Sequence, residues 1–147
     1  MTPRSTATAG TTVDTTDPKS LVRRLVDQVI NGADPDALEA LCTPRLASNL
    51  RRAFSQFRDA FPDWHQDVVE LVAESDTVVA RFRCTGTHRG PWRGLEPSGQ
   101  RMRVDEVYFF RIREGRIAQV WGLEDTWSRM RQLQGGPGHL GEMGSLG

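Results

Sequence analysis

Charge of one sign is missing from this sequence: 147 residues carry 19 Lys and Arg against 19 Asp and Glu. No net field therefore draws the chain to nucleic acid or to an anionic membrane. The basic residues alternate with acids, as in RIREGR, and form no patch. Only Cys42 and Cys84 are present, too few for a disulfide framework. Both have apolar neighbours and are expected to be small buried hydrophobes in a reducing, cytoplasmic setting. No run approaches the roughly 18 apolar residues of a membrane span. The opening stretch MTPRSTATAGTTVDTT has one Arg and no apolar segment, so no secretory signal is expected. Three histidines stand without metal-ligand spacing, and no glycine-rich phosphate loop occurs. No metal, nucleotide or other cofactor is implied. Neither a Ser-His-Asp nor a Cys-His constellation can be assembled.

What is present has the size of one domain. Residues 1–16, rich in Thr, Ala and Ser, are expected to be a disordered arm, and the Gly-rich residues 134–147 a flexible tail. The folded domain is expected over 17–133. Asp17-Pro18 is a helix start, and Leu21, Val22, Leu25, Val26, Val29 and Ile30 recur at helical spacing until Asn31-Gly32. Asp34-Pro35 opens a short second helix. A third runs from about Leu46 to Ala60 and breaks at Phe61-Pro62-Asp63. The period then becomes two. HQDVVELVAE, TVVARFRCTGTH, RMRVDEVYFFRI and IAQVWGLED are expected strands, and TWSRMRQL is a closing helix. In the second strand Val78, Ala80, Phe82 and Cys84 face one way, with Arg81 and Arg83 opposite. Helices followed by an antiparallel meander make an α+β fold, with the helices on one face of the sheet.

Six elements in order carry a family resemblance: Phe61-Pro62-Asp63, Gly86-Thr87-His88, the Gly94–Gly99 loop, Arg111, Glu114-Gly115, and Trp121 with Asp125. Together they resemble the SnoaL-like polyketide cyclases of the NTF2-like superfamily. The resemblance spans nearly all of the folded part. It implies a cone, with N-terminal helices packed on a curved antiparallel sheet that encloses a deep pocket. It also implies a homodimer, or a higher oligomer, paired through the sheet. The chain departs from the family in reading Glu96-Pro97-Ser98 in the loop. It also holds four tryptophans, which points to a more apolar substrate.

The family's catalytic acid/base falls on Asp125. Two roles are open to it on physical grounds: a carboxyl with raised pKa between Trp121 and Trp127, or the N-cap of the helix that follows. Strand alternation turns Glu124 away from Asp125 and Trp121. Only Asp105 could join Asp125 as a second carboxylate. His65 and His88 are candidates for hydrogen bonds to substrate, or for strand-end caps. Arg111 is a candidate pocket cation or a surface ion-pair partner. Phe54, Trp64, Trp92 and Trp121 are candidates for pocket wall or for ordinary core.

The function implied is cofactor-independent ring closure of a small-molecule polyketide in natural-product (antibiotic) biosynthesis. The route is either aldol closure by Asp125 or a pericyclic closure in which the pocket folds the chain. Different chemistry on the same scaffold, a cofactor-free hydroxylase or an epoxide hydrolase, is the alternative, as is a non-catalytic binding module.

Overall fold

The computed structural model describes residues 17–135; the expected N-terminal arm, and the tail from residue 136 on, lie outside the described residues. Helix α1 begins at Pro18, whose missing N–H costs nothing in a first turn, and runs over Pro18–Arg24. It then widens into a π-helical segment, Leu25–Asn31, where a single α-helix was expected through Ile30. Widening brings residues five apart onto one face. Leu25 and Ile30 accordingly both line the same cavity. All six apolar residues of this stretch are buried.

A 3-10 turn at Pro35–Ala37, whose Asp36 amide is held by the Asp34 carboxylate, leads into α2, Leu38–Leu41. Helix α3 spans Pro44–Ala60. It starts two residues before the expected Leu46, because Pro44 takes the first helical position. It stops at Phe61, the residue before Pro62.

Strands β1 (His65–Glu74), β2 (Thr77–Thr87), β3 (Arg101–Arg113) and β4 (Arg116–Glu124) form one antiparallel meander in the order β1-β2-β3-β4. Helix α4, Thr126–Leu133, closes the chain. Irregularities in register at Val68/Glu70 and Arg111/Ile112 bend the sheet. Its concave face receives the helices. Val78, Ala80, Phe82 and Cys84 on β2 are buried there beside Met102, Val104 and Phe110 on β3. The convex face carries charge, with Arg81 bound to Glu70 at 3.2 Å and to Asp105 at 3.1 Å.

Two junctions fix the rim of the cone. At one, the Asp63 carboxylate accepts from the Thr87 amide and the Thr87 hydroxyl, both at 2.7 Å. Phe61 stacks on His88, and the amides of Arg89 and Gly90 donate to the Ala60 carbonyl. The Phe-Pro-Asp and Gly-Thr-His motifs are thus two halves of one scaffold joint. At the other, Asn31 pairs with the peptide of residue 66: Nδ2 donates to the carbonyl at 2.8 Å, and the amide of Gln66 donates to Oδ1 at 2.9 Å. The end of the π-helical segment is thereby tied to the start of β1. Asn31→Ala leaves both peptide groups without a partner in a half-buried place. Urea unfolding should show a loss of about 1–3 kcal/mol.

Candidate active site

The inner face of β3 alternates Met102, Val104, Glu106, Tyr108 and Phe110, so a carboxylate sits in an otherwise apolar row. Pairing with β4 places Glu106 directly opposite Glu124, and Tyr108 opposite Gly122. Like charges facing each other across a ladder repel. The arrangement is held by Arg129 from α4, which is fully buried. Its Nη1 donates to Glu124 Oε2 at 3.0 Å, its Nη2 to Glu106 Oε1, and its Nε to Met102 Sδ at 3.2 Å. The rings of Phe57 and Trp92 lie 5.2 and 5.5 Å from its guanidinium carbon. Such ring faces favour a cation.

The network extends sideways. Gln66 Nε2 donates to Glu106 Oε2 at 3.2 Å, and the Tyr108 hydroxyl donates to Glu124 Oε1 at 2.8 Å. Gly122 makes the last bond possible. A Cβ there would stand 2.3 Å from Tyr108 Cδ1, so the ring can lie flat over the β4 backbone only because that position is glycine.

These contacts set the charge states. Burial, and next the neighbouring Glu124, push Glu106 above the usual carboxylate range, against the opposing pull of Arg129. Burial works against the charge of Arg129, but Glu106 and Glu124 more than offset it and raise its pKa. Tyr108 is raised by burial first and then by both carboxylates, so it stays a phenol and a donor. Behind the wall the Cys84 thiol is raised by burial, and Cys42 is pushed up to about 12 for the same reason. Both cysteines are buried thiols, poorly suited to nucleophilic work.

Against this wall lies a cavity of about 260 Å³. Leu25 and Ile30 of the π-helical segment, Leu50, Phe54 and Phe57 of α3, and Trp64 enclose it. Its polar lining residues are Gln66, Glu106, Tyr108 and Glu124.

The residues singled out from sequence are distributed unevenly around this cavity. Phe54 and Trp64 line it. Trp92 packs behind the wall on Arg129. Trp121 is on the convex face, 57% exposed, edge-on to Phe109. His65 is exposed and pairs with Asp67 at 3.1 Å. Arg111 is exposed and donates to Thr77 Oγ1 at 2.6 Å. His88 is buried outside the cavity lining, where its Nδ1 accepts from the Ser98 amide at 3.2 Å and so holds the 88–100 loop. Asp105 is on the convex face with Arg81 and Arg83.

Of the two roles open to Asp125, the structure shows the cap. Its Oδ1 accepts from the Ser128 amide at 2.9 Å, and its carbonyl accepts from the Arg129 amide. The alternation argument was sound, but the face was reversed. Val120, Gly122 and Glu124 point inward, and Trp121 and Leu123 point outward. Trp121, a candidate for pocket wall or core, and Trp127 both belong to the exposed surface. Glu106, Glu124, Tyr108, Gln66 and Arg129 were all missed. Glu106 had a signal, since it shares parity with Val104 and Phe110. Arg129 had a weaker one, four residues before the buried Leu133.

An apolar cavity in a helix-capped curved sheet, with acidic side chains on one wall, is the candidate site of this α+β fold. A profile of the SnoaL-like polyketide cyclases matches residues 20–133, and the chain belongs to that family. Among solved structures, TsrD from Streptomyces laurentii is 28% identical, with a TM-score of 0.72 over 77% of this chain and 91% of that one. A SnoaL-like protein from Jannaschia sp. CCS1 is 23% identical, with a TM-score of 0.75 over 89% and 100%. AclR from Streptomyces galilaeus, a candidate hydroxylase, is 23% identical, with a TM-score of 0.72 over 83% of each chain. At such identities the last two show a shared fold alone. No curated protein sequence matches.

Removing Arg129 leaves the buried Glu106 facing a second, partly exposed carboxyl group with no cation between them. Arg129→Met should cost about 3–5 kcal/mol in chemical unfolding, with Arg129→Lys recovering only part, because an ammonium cannot bridge both acids. Glu106 adds a pH signature. Its folded pKa lies above the ordinary 4.5, so its ionisation costs stability as pH rises from 4.5 through the folded value. Glu106→Gln should flatten that fall relative to wild type in unfolding curves taken across pH.

Proposed function

We propose that the protein closes a ring in a polyketide-derived intermediate by acid–base catalysis that needs no cofactor. The observation that carries this is the pairing of an apolar cavity with Glu124, a carboxylate 36% exposed at its side chain, bonded to a phenol and to a buried guanidinium. Glu124 removes a proton from a methylene flanked by carbonyls. The enolate carbon attacks a second carbonyl of the same chain, forming the new C–C bond and leaving an alkoxide. Tyr108 gives its proton to that alkoxide and regains one from Glu124. Every proton taken is returned. Arg129 holds Glu124 in place. Asp125 acts at one remove, starting the helix that turns Arg129 inward. The apolar walls hold the chain folded with its reacting atoms together.

The same sequence family supports two further assignments. We propose a homodimer formed through the convex face of the sheet, where Trp121, Leu123 and, on α4, Trp127 are 57, 64 and 62% exposed. No described helix is long and apolar enough to cross a membrane. A cytoplasmic enzyme acting in natural-product biosynthesis fits that picture. Trp121→Arg should convert the dimer to monomer in size-exclusion chromatography with light scattering. A wild type that already runs as a monomer sinks the assignment.

Nonane-2,4,8-trione, whose C3 methylene lies between two carbonyls and closes on C8 to give a cyclohexenone after loss of water, is a simple probe of the chemistry. Glu124→Gln should lower its rate of cyclisation by about 100-fold or more, the range of a lost general base. Asp125→Asn, with Asn still able to cap, should retain most of it. Abolished turnover in Asp125→Asn beside an active Glu124→Gln would return the base to Asp125. Equal retention in both would favour closure driven by substrate folding.

A further inference from the structure

The cavity wall sets two carboxyl groups against one guanidinium. Glu106 and Glu124 share one guanidinium, and each of the three nitrogens of Arg129 already donates, to Met102, Glu124 and Glu106. Both glutamates line the cavity, whereas Arg129 lies behind it and no lining residue is basic. An anionic ligand would therefore meet two carboxyl groups and no free cation, a costly pairing in a desolvated place.

Two lining side chains keep a polar atom with no partner among the described residues, Trp64 Nε1 as a donor and Gln66 Oε1 as an acceptor. Gln66 is 4% exposed and lines the cavity, and its Oε1 has no partner among the described residues. Its amide is turned toward Glu106, so the free oxygen is an acceptor awaiting a donor. The oxygens of Glu124 each accept one bond and retain lone pairs. The opposite wall is aromatic. Phe54 and Phe57 lie 5.5 and 4.6 Å from Trp64, centroid to centroid. Rings of this kind attract a cation when water is excluded. The Glu124 carboxyl group, an unfilled acceptor and an aromatic wall enclose one small volume.

We propose that the substrate of this site carries a basic nitrogen, protonated when bound, that donates to Glu124 and Gln66 Oε1 and packs against the rings of α3 and Trp64. The proposal rests on the cavity being the substrate site. It narrows the substrate to a polyketide-derived amine and excludes the free polyketide acid. An amine-introducing step, such as transamination or condensation with an amino acid unit, must then precede this one.

Isothermal titration with three probes on one scaffold tests this: 1-naphthylmethylamine, 1-naphthamide and 1-naphthoate. The amine should bind at least tenfold more tightly than the amide, and the carboxylate weakest of the three. Glu124→Gln should bring the amine down to the level of the amide. Gln66→Leu should weaken the amine severalfold in a wall that keeps its ion pairs. Amide or carboxylate binding as tightly as the amine overturns the proposal, as does an amine preference that survives Glu124→Gln, or an amine that does not bind. Leu50→Trp, which fills the cavity, separates the two levels of inference. If it abolishes all binding while the order of the probes is reversed, only the basic nitrogen is wrong. If binding is untouched by it in a folded variant, the cavity is not the substrate site.

Discussion

One guanidinium between two carboxylates is the interaction on which the site depends. Two strands bring Glu106 and Glu124 face to face, an arrangement that would open the sheet edge without a cation. Arg129 supplies it from a helix that follows β4 directly, so that helix locks the strand before it. The lock also orders the Glu124 carboxyl group. By engaging one oxygen of Glu124, Arg129 leaves the other to Tyr108. A buried ion pair is weak evidence for stability in general. Here its value is positional, because it sets which oxygens face the cavity.

The positions that build this wall are modest in themselves. Asp125 caps a helix, Gly122 lacks a side chain, and Asn31 ties one peptide group. Yet the cap fixes where Arg129 enters, the glycine lets Tyr108 lie flat, and the Asn31 pair fixes the residue whose side chain reaches Glu106. The polar side chains of the cavity wall come from the strands, and their placement is set by neighbours that do not line the cavity.

The order of helices and strands was legible from apolar spacing, because each element buries one face and its period is visible in a single sequence. Helix α3 began two residues early, and α1 changed pitch halfway, since a π-helical turn leaves little trace in apolar spacing. The site was far less legible. Parity along β4 separates Glu124 from Trp121 correctly, but does not say which side is inward. That depends on pairing with β3, where the partner of Glu124 is another acid. Exposed tryptophans then mimicked a pocket wall. The best available clue was Glu106, an acid in step with Val104 and Phe110, whose need for a buried cation should have led to Arg129.

The joint between Phe61-Pro62-Asp63 and Gly86-Thr87-His88 has a consequence for how such chains are recognised. Those residues are the most readable signature in the sequence, and they close the rim of the cone with the Asp63–Thr87 bonds and the Phe61–His88 stack. None of them lines the cavity. The signature therefore sorts sequences by chassis, while the occupants of the wall are free to vary beneath it. Two proteins that share every one of those landmarks can differ at positions 66, 106, 108 and 124 and carry out unrelated reactions.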